Sequence, residues 1–71
     1  MVDAQLVDRA HAALAQSPHL ARKRLKLAAV RGRVTLEGTV DSYYQKQMAQ
    51  EALRKIDGVE VVENLLEVHW E

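Results

Sequence analysis

The chain has 71 residues, a formal net charge of zero and no cysteine. It therefore holds one small domain at most, is not built as a dedicated nucleic-acid binder, and has no disulfide or thiol chemistry. Apolar residues make up 48% of it, too many for a disordered chain, and no apolar run approaches the ~18 residues a membrane span needs.

Asp3 to Gln16 reads as a helix, with Leu6, Val7, Ala10, Ala13 and Leu14 on one face and Asp3 placed to cap it or sit in its first turn. Ser17-Pro18 ends it, because proline cannot continue the ladder. Leu20 is expected to tuck back toward the core, while His19 and Ala21 have no assignment. Arg24 to Val30 alternates as a strand with Leu25, Leu27 and Ala29 inward. Arg33 to Val40 is a second strand with Val34, Leu36 and Val40 on one face, and Gly38 on that face implies a close approach by a helix or backbone. Only Arg31 and Gly32 separate the two strands, so a tight hairpin is expected. Arginine at a left-handed position would be unusual, which keeps a longer loop with a bulge open.

Asp41 to Ile56 reads as a second helix capped by Asp41 or Ser42. Tyr44, Met48, Ala52 and Ile56 recur every four residues and are expected to face the core, with Ala49 and Leu53 beside them and Tyr43 pointing elsewhere. The small Ala49 and Ala52 would let this helix lie close to the sheet, over Gly38, and Gly58 is a helix stop. Val59 to Trp70 carries the last strand, in which Asn64 interrupts the inward series Val62, Leu66, Val68 and Trp70; its amide is expected to bond to nearby backbone at the start of the strand. The order helix–strand–strand–helix–strand predicts an α/β (α+β) fold over residues 1–71: a three-stranded mixed sheet with two helices on one face. The other face, presenting Lys26, Arg33, Thr35 and Glu37, is then exposed. Whether the second and third strands are adjacent cannot be read from the pattern.

Charge is unevenly spread. Between Asp8 and Glu37 there is no acid, while Arg9, Arg22, Lys23, Arg24, Lys26, Arg31 and Arg33 fall there. From Glu37 onward the chain is mostly acidic. Against a solvated basic face balanced by the acidic half stands a binding site for an anionic surface made of Arg22, Lys23, Arg24, Lys26, Arg31 and Arg33, with Tyr43 as a contact residue. His11, His19 and His69 lie in three different elements without ligand spacing, so no metal is expected. No nucleophile–base pair or phosphate loop is visible, no cofactor is implied, and Ser17 and Ser42 sit at helix ends where hydroxyls serve structure. Single-stranded nucleic acid is a poor ligand, because the sheet face lacks aromatic platforms.

Three segments together resemble the BON domain family. They are Gly32-Arg33-Val34-Thr35-Leu36-Glu37-Gly38-Thr39-Val40, the alanine-containing helix around Met48 to Ile56, and Gly58-Val59-Glu60-Val61-Val62-Glu63-Asn64-Leu65-Leu66-Glu67-Val68. The resemblance implies a non-catalytic, osmotic-stress or envelope-associated bacterial module that attaches to anionic phospholipid surfaces. It equally admits a protein-interaction or self-association module, an envelope protein or a second copy being the partner. It gives Gly32, Gly38, Gly58 and Asn64 structural roles. A periplasmic location follows if the chain is excised from an exported parent, a cytoplasmic one if it is complete.

Overall fold

The computed structural model describes residues 3–21 and 24–69. Its elements are α1 (Ala4–Ala15), α2 (Pro18–Ala21), β1 (Lys26–Val30), β2 (Arg33–Val40), α3 (Tyr43–Arg54) and β3 (Val61–Val68). The three strands form one sheet in the order β1-β2-β3. β1 pairs antiparallel with β2, from Lys26↔Glu37 to Val30↔Arg33. β2 pairs parallel with β3, from Arg33↔Val61 to Val40↔Val68. The mixed sheet with helices against it is the predicted architecture, and the helical crossover brings β2 and β3 side by side.

Each element ends where its chemistry says it should. Asp3 is the N-cap of α1, its Oδ1 accepting from the Leu6 N–H at 3.1 Å. Ser42, rather than Asp41, is the N-cap of α3: its Oγ accepts from the Gln45 N–H at 3.1 Å, while Gln45 Oε1 accepts from the Asp41 N–H at 2.9 Å. Two amides that would otherwise be orphaned are thereby satisfied. Pro18 does more than stop α1. It opens the four-residue helix α2, where its missing N–H and fixed φ cost nothing, and this turn carries Leu20 into the core. The hairpin is the tight one: Arg31 has φ +52° and Gly32 φ +80°, the two positive values a two-residue I′ connection requires.

α1 and α3 pack side by side on one face, α1 over β1 and α3 over β3. The core between the layers is small: Leu6, Ala10 and Leu14 of α1, Leu20 of α2, Ala29, Val34, Leu36, Val40 and Leu66 of the sheet, and Ala49 and Leu53 of α3. Each fully buried Leu or Val contributes about 1.5–3 kcal/mol. The alanines Ala10, Ala29 and Ala49 are fully buried, and their small size lets the helices approach the sheet closely.

Gly38 is a site of close approach, but the neighbour is not α3. With φ +143°, a Cβ there would lie 2.7 Å from Leu25 Cδ2 and 3.1 Å from the Arg24 carbonyl oxygen; the segment entering β1 runs alongside it. Gly58 likewise does not cap α3, whose C-cap is Lys55. It lies at φ +96° in the turn closed by the Val59 N–H donating to the Ile56 carbonyl at 3.1 Å, which redirects the chain into β3. The turn meets the hairpin, where the Gly32 carbonyl accepts from the amides of Glu60 and Val61 at 2.8 and 3.2 Å.

Both sheet edges are partly occupied. On the β1 side the Asp3 N–H donates to the Ala29 carbonyl at 2.7 Å. On the β3 side, the amides of Val61 and His69 point at β2, so those of the even-numbered residues between them face outward. One of these, the Leu66 N–H, donates to Asn64 Oδ1 at 3.1 Å. The Asn64 amide nitrogen reaches the other way, donating to the Lys46 carbonyl of α3 at 2.9 Å and, more weakly, to Gln50 Oε1 at 3.4 Å. Asn64 lies in the middle of β3 rather than at its start, and ties helix to strand there.

Candidate interaction surface

The strand register divides the basic residues between two ends of the molecule. Arg24 precedes β1 and Lys26 begins it, while Arg31 and Arg33 flank the hairpin at its far end. The four steps from Lys26 to Val30 cover about 13 Å, more than a Debye length at physiological salt. Arg22 and Lys23 lie outside the described residues.

Acids stand among these bases. Arg33 Nη2 lies 3.5 Å from Glu63 Oε2, both side chains well exposed, so the pair adds little stability but cancels charge locally. Lys26 is opposite Glu37 in the ladder. Arg24 and Lys26 line a shallow open depression together with Glu37, Gly38, Thr39 and Glu67. At the hairpin, the Glu60 carboxylate packs against Gly32, beside Arg31.

The end of the molecule where β2 closes has a different character. Here α3 begins, and Tyr43 and Tyr44 are 68% and 69% exposed. Tyr43 points outward as predicted. Tyr44 does not pack, contrary to its four-residue periodicity with Met48, Ala52 and Ile56. It belongs to the first turn of α3, and the buried stripe runs instead through Ala49 and Leu53, with Met48, Ala52 and Ile56 only partly covered. Lys46 Nζ sits 5.9 Å from the Tyr43 ring centroid, within cation–π range. Tyr43, Lys46, Gln47, Gln50, Glu51 and Arg54 line a shallow groove along the exposed side of α3, and the Arg54–Glu51 pair at 2.9 Å borders it.

Among the described residues, no group of three or more His, Cys, Asp or Glu is placed to hold a metal ion. Ser42 Oγ is used as a cap. The buried Ser17 Oγ has no hydrogen-bond partner, so the structural use expected of that hydroxyl is not made. Among the described residues, no helix is long and apolar enough to cross a membrane.

Fold and surface together define a small α+β module with helices on one side of a mixed sheet and its polar chemistry confined to open surfaces. The chain belongs to the BON domain family: the model of that family, described as BON domain, matches residues 2–69. A search of curated proteins found none that matches.

Proposed function

We propose that this domain is an attachment module whose tip, formed by the start of α3 and the entry to β1, rests on an anionic phospholipid surface. The observation that carries this reading is the adjacent exposed pair Tyr43 and Tyr44. A tyrosine ring is apolar with a polar end, and it suits the boundary between headgroups and acyl chains. The cations at the same end are Arg24, Lys26 and Lys46. Lys26 stands opposite Glu37 and Arg24 shares a depression with Glu37 and Glu67, so these two and Lys46 each supply only part of the attraction. Each base near an anionic bilayer contributes about 1 kcal/mol, so the contact is weak, reversible and sensitive to salt. Arg31 and Arg33, at the opposite end of β1, stand apart from the contact.

Vesicle co-sedimentation of the full chain tests this with phosphatidylglycerol-containing and pure phosphatidylcholine vesicles. The reading expects binding to the anionic vesicles only. Replacing both tyrosines (Tyr43→Ala with Tyr44→Ala) or reversing Arg24 (Arg24→Glu) should reduce the bound fraction severalfold, whereas Arg33→Gln leaves it unchanged. Equal binding to both vesicle types, or a loss caused by Arg33→Gln alone, contradicts it.

A further inference from the structure

The exposed large apolar side chains fall into two groups. Tyr43 and Tyr44 are at the tip; Val30, Val61 and Leu65, exposed at 40%, 49% and 47%, all lie on the sheet face that no helix covers. Paired across the ladder, the outward residues of that face form three complete rows: Val30–Arg33–Val61, Ala28–Thr35–Glu63 and Lys26–Glu37–Leu65. A fourth row continues through Thr39 and Glu67, with Arg24 beside them.

The charges on this face follow a gradient. Arg24 and Lys26 lie on the β1 side, and Glu63 and Glu67 lie on β3. Arg33 and Glu37 share the central strand, so bases and acids balance. A uniformly anionic or cationic partner gains nothing from such a face, whereas a copy of the same face can satisfy it. A two-fold interface needs this self-complementarity, in which each patch meets its own image.

We infer that the open sheet face is the interface of a two-fold dimer of this chain, with the symmetry axis lying between the two sheets and parallel to the strands. Rotation about that axis lays β1 of one copy over β3 of the other. Arg24 then faces Glu67 of the second copy, and Val30 faces its Val61. A perpendicular axis would set the basic β1 strands over each other and the acidic β3 strands over each other. β2 lies on the chosen axis, so Arg33 and Glu37 each come near their own image; Arg33 is already met by Glu63 at 3.5 Å, and Glu37 stands opposite Lys26 in the ladder. The usual crossing of about 30° between packed sheets moves the axial side chains out of line. The same rotation leaves both tyrosine tips at one end, where a single surface could engage them together.

Three strands at about 4.8 Å spacing and eight residues of about 3.3 Å give a flat footprint of roughly 370 Å² per copy. That is about half of what a stable complex covers per partner, so the dimer is expected to be weak and reversible. Sedimentation velocity on the full chain at low salt, up to about millimolar concentration, should show reversible monomer–dimer exchange. Arg24→Glu and Glu67→Arg should each weaken it about tenfold, as expected for charge pairs across an interface. The double variant should restore it, because the β1–β3 contact re-forms with its signs exchanged. Val61→Lys should abolish it by setting a cation against Val30 of the second copy, and thermal melts confirm that each variant is folded. Vesicles are absent from this experiment, so its outcome is separate from that of the lipid reading. A chain that stays monomeric throughout, or a double variant as weak as the single ones, overturns the proposal.

Discussion

Replacing Asn64 by leucine tests how the helix layer is fixed to the sheet. The side chain is half-buried and makes two well-formed hydrogen bonds, to the Lys46 carbonyl at 2.9 Å and from the Leu66 N–H at 3.1 Å, with a longer one to Gln50 at 3.4 Å. A hydrogen bond contributes about 0.5–1.5 kcal/mol net. The Lys46 carbonyl also lies in the helical ladder of α3 and keeps a partner after the change. The Leu66 amide, in a residue only 2% exposed, loses the side chain that satisfies it. Together these predict that Asn64→Leu costs roughly 1–3 kcal/mol although the number of side-chain heavy atoms is unchanged. In a domain of this size that lowers the melting midpoint by roughly 7–20 °C. Asn64→Asp keeps the acceptor for Leu66 but turns a carboxylate oxygen toward the Lys46 carbonyl, and should cost at least as much. Urea titration followed by circular dichroism measures both. Losing the Leu66 bond also opens the outer edge of β3, so Asn64→Leu should associate more readily at high concentration. A midpoint within about 0.5 kcal/mol of the parent, with an unchanged denaturant slope, would refute this account of the residue.

Other substitutions probe the backbone and the caps. Gly38→Ala meets both the positive φ and the Arg24 carbonyl at 3.1 Å, and should cost about 1–3 kcal/mol in the same urea assay; a neutral result would mean β1 can move away. Arg31→Asn puts a residue tolerant of left-handed backbone at φ +52° and should raise stability by up to about 1 kcal/mol, a gain absent if the turn is relaxed by other means. Ser42→Ala removes the cap of α3 and should cost about 1 kcal/mol, with faster amide exchange in the first turn of that helix. Unchanged exchange at Gln45 would argue that the cap bond is dispensable.

Much of this architecture is legible in the residue pattern, because the strands alternate and the helices carry caps. Val34, Leu36 and Val40 share a parity that only a strand half-buried by helices explains, and all three are fully buried. Gly38 signals a close approach from sequence alone. The identity of the neighbour depends on the register in which β1 pairs with β2, which no local pattern records, so the expectation of α3 there fails. Tyr44 fails for a related reason: periodicity says which side of a helix a residue takes, but not whether that helical turn has sheet beneath it. The helix α2 escapes notice because Pro18 is read as an ending, although proline is equally at home in a first helical turn. For the surface, the run Arg22 to Arg33 suggests one basic patch. An extended strand separates residues that a helix would gather, and β3 brings Glu63 to within 3.5 Å of Arg33 from thirty positions away. The pairing of Val30, Val61 and Leu65 on one open face is equally invisible until the register is known.

The attachment reading rests most heavily on which residues meet a lipid surface, and amide NMR resolves that residue by residue. The measurement is a titration of the labelled chain with anionic and with neutral vesicles at low and moderate salt. The account predicts shifts or broadening at Arg24, Tyr43, Tyr44 and Lys46 with anionic vesicles alone, weakening as salt rises, while Arg31 and Arg33 stay unperturbed. Perturbation centred on the hairpin, an equal response to neutral vesicles, or no response to either would contradict it.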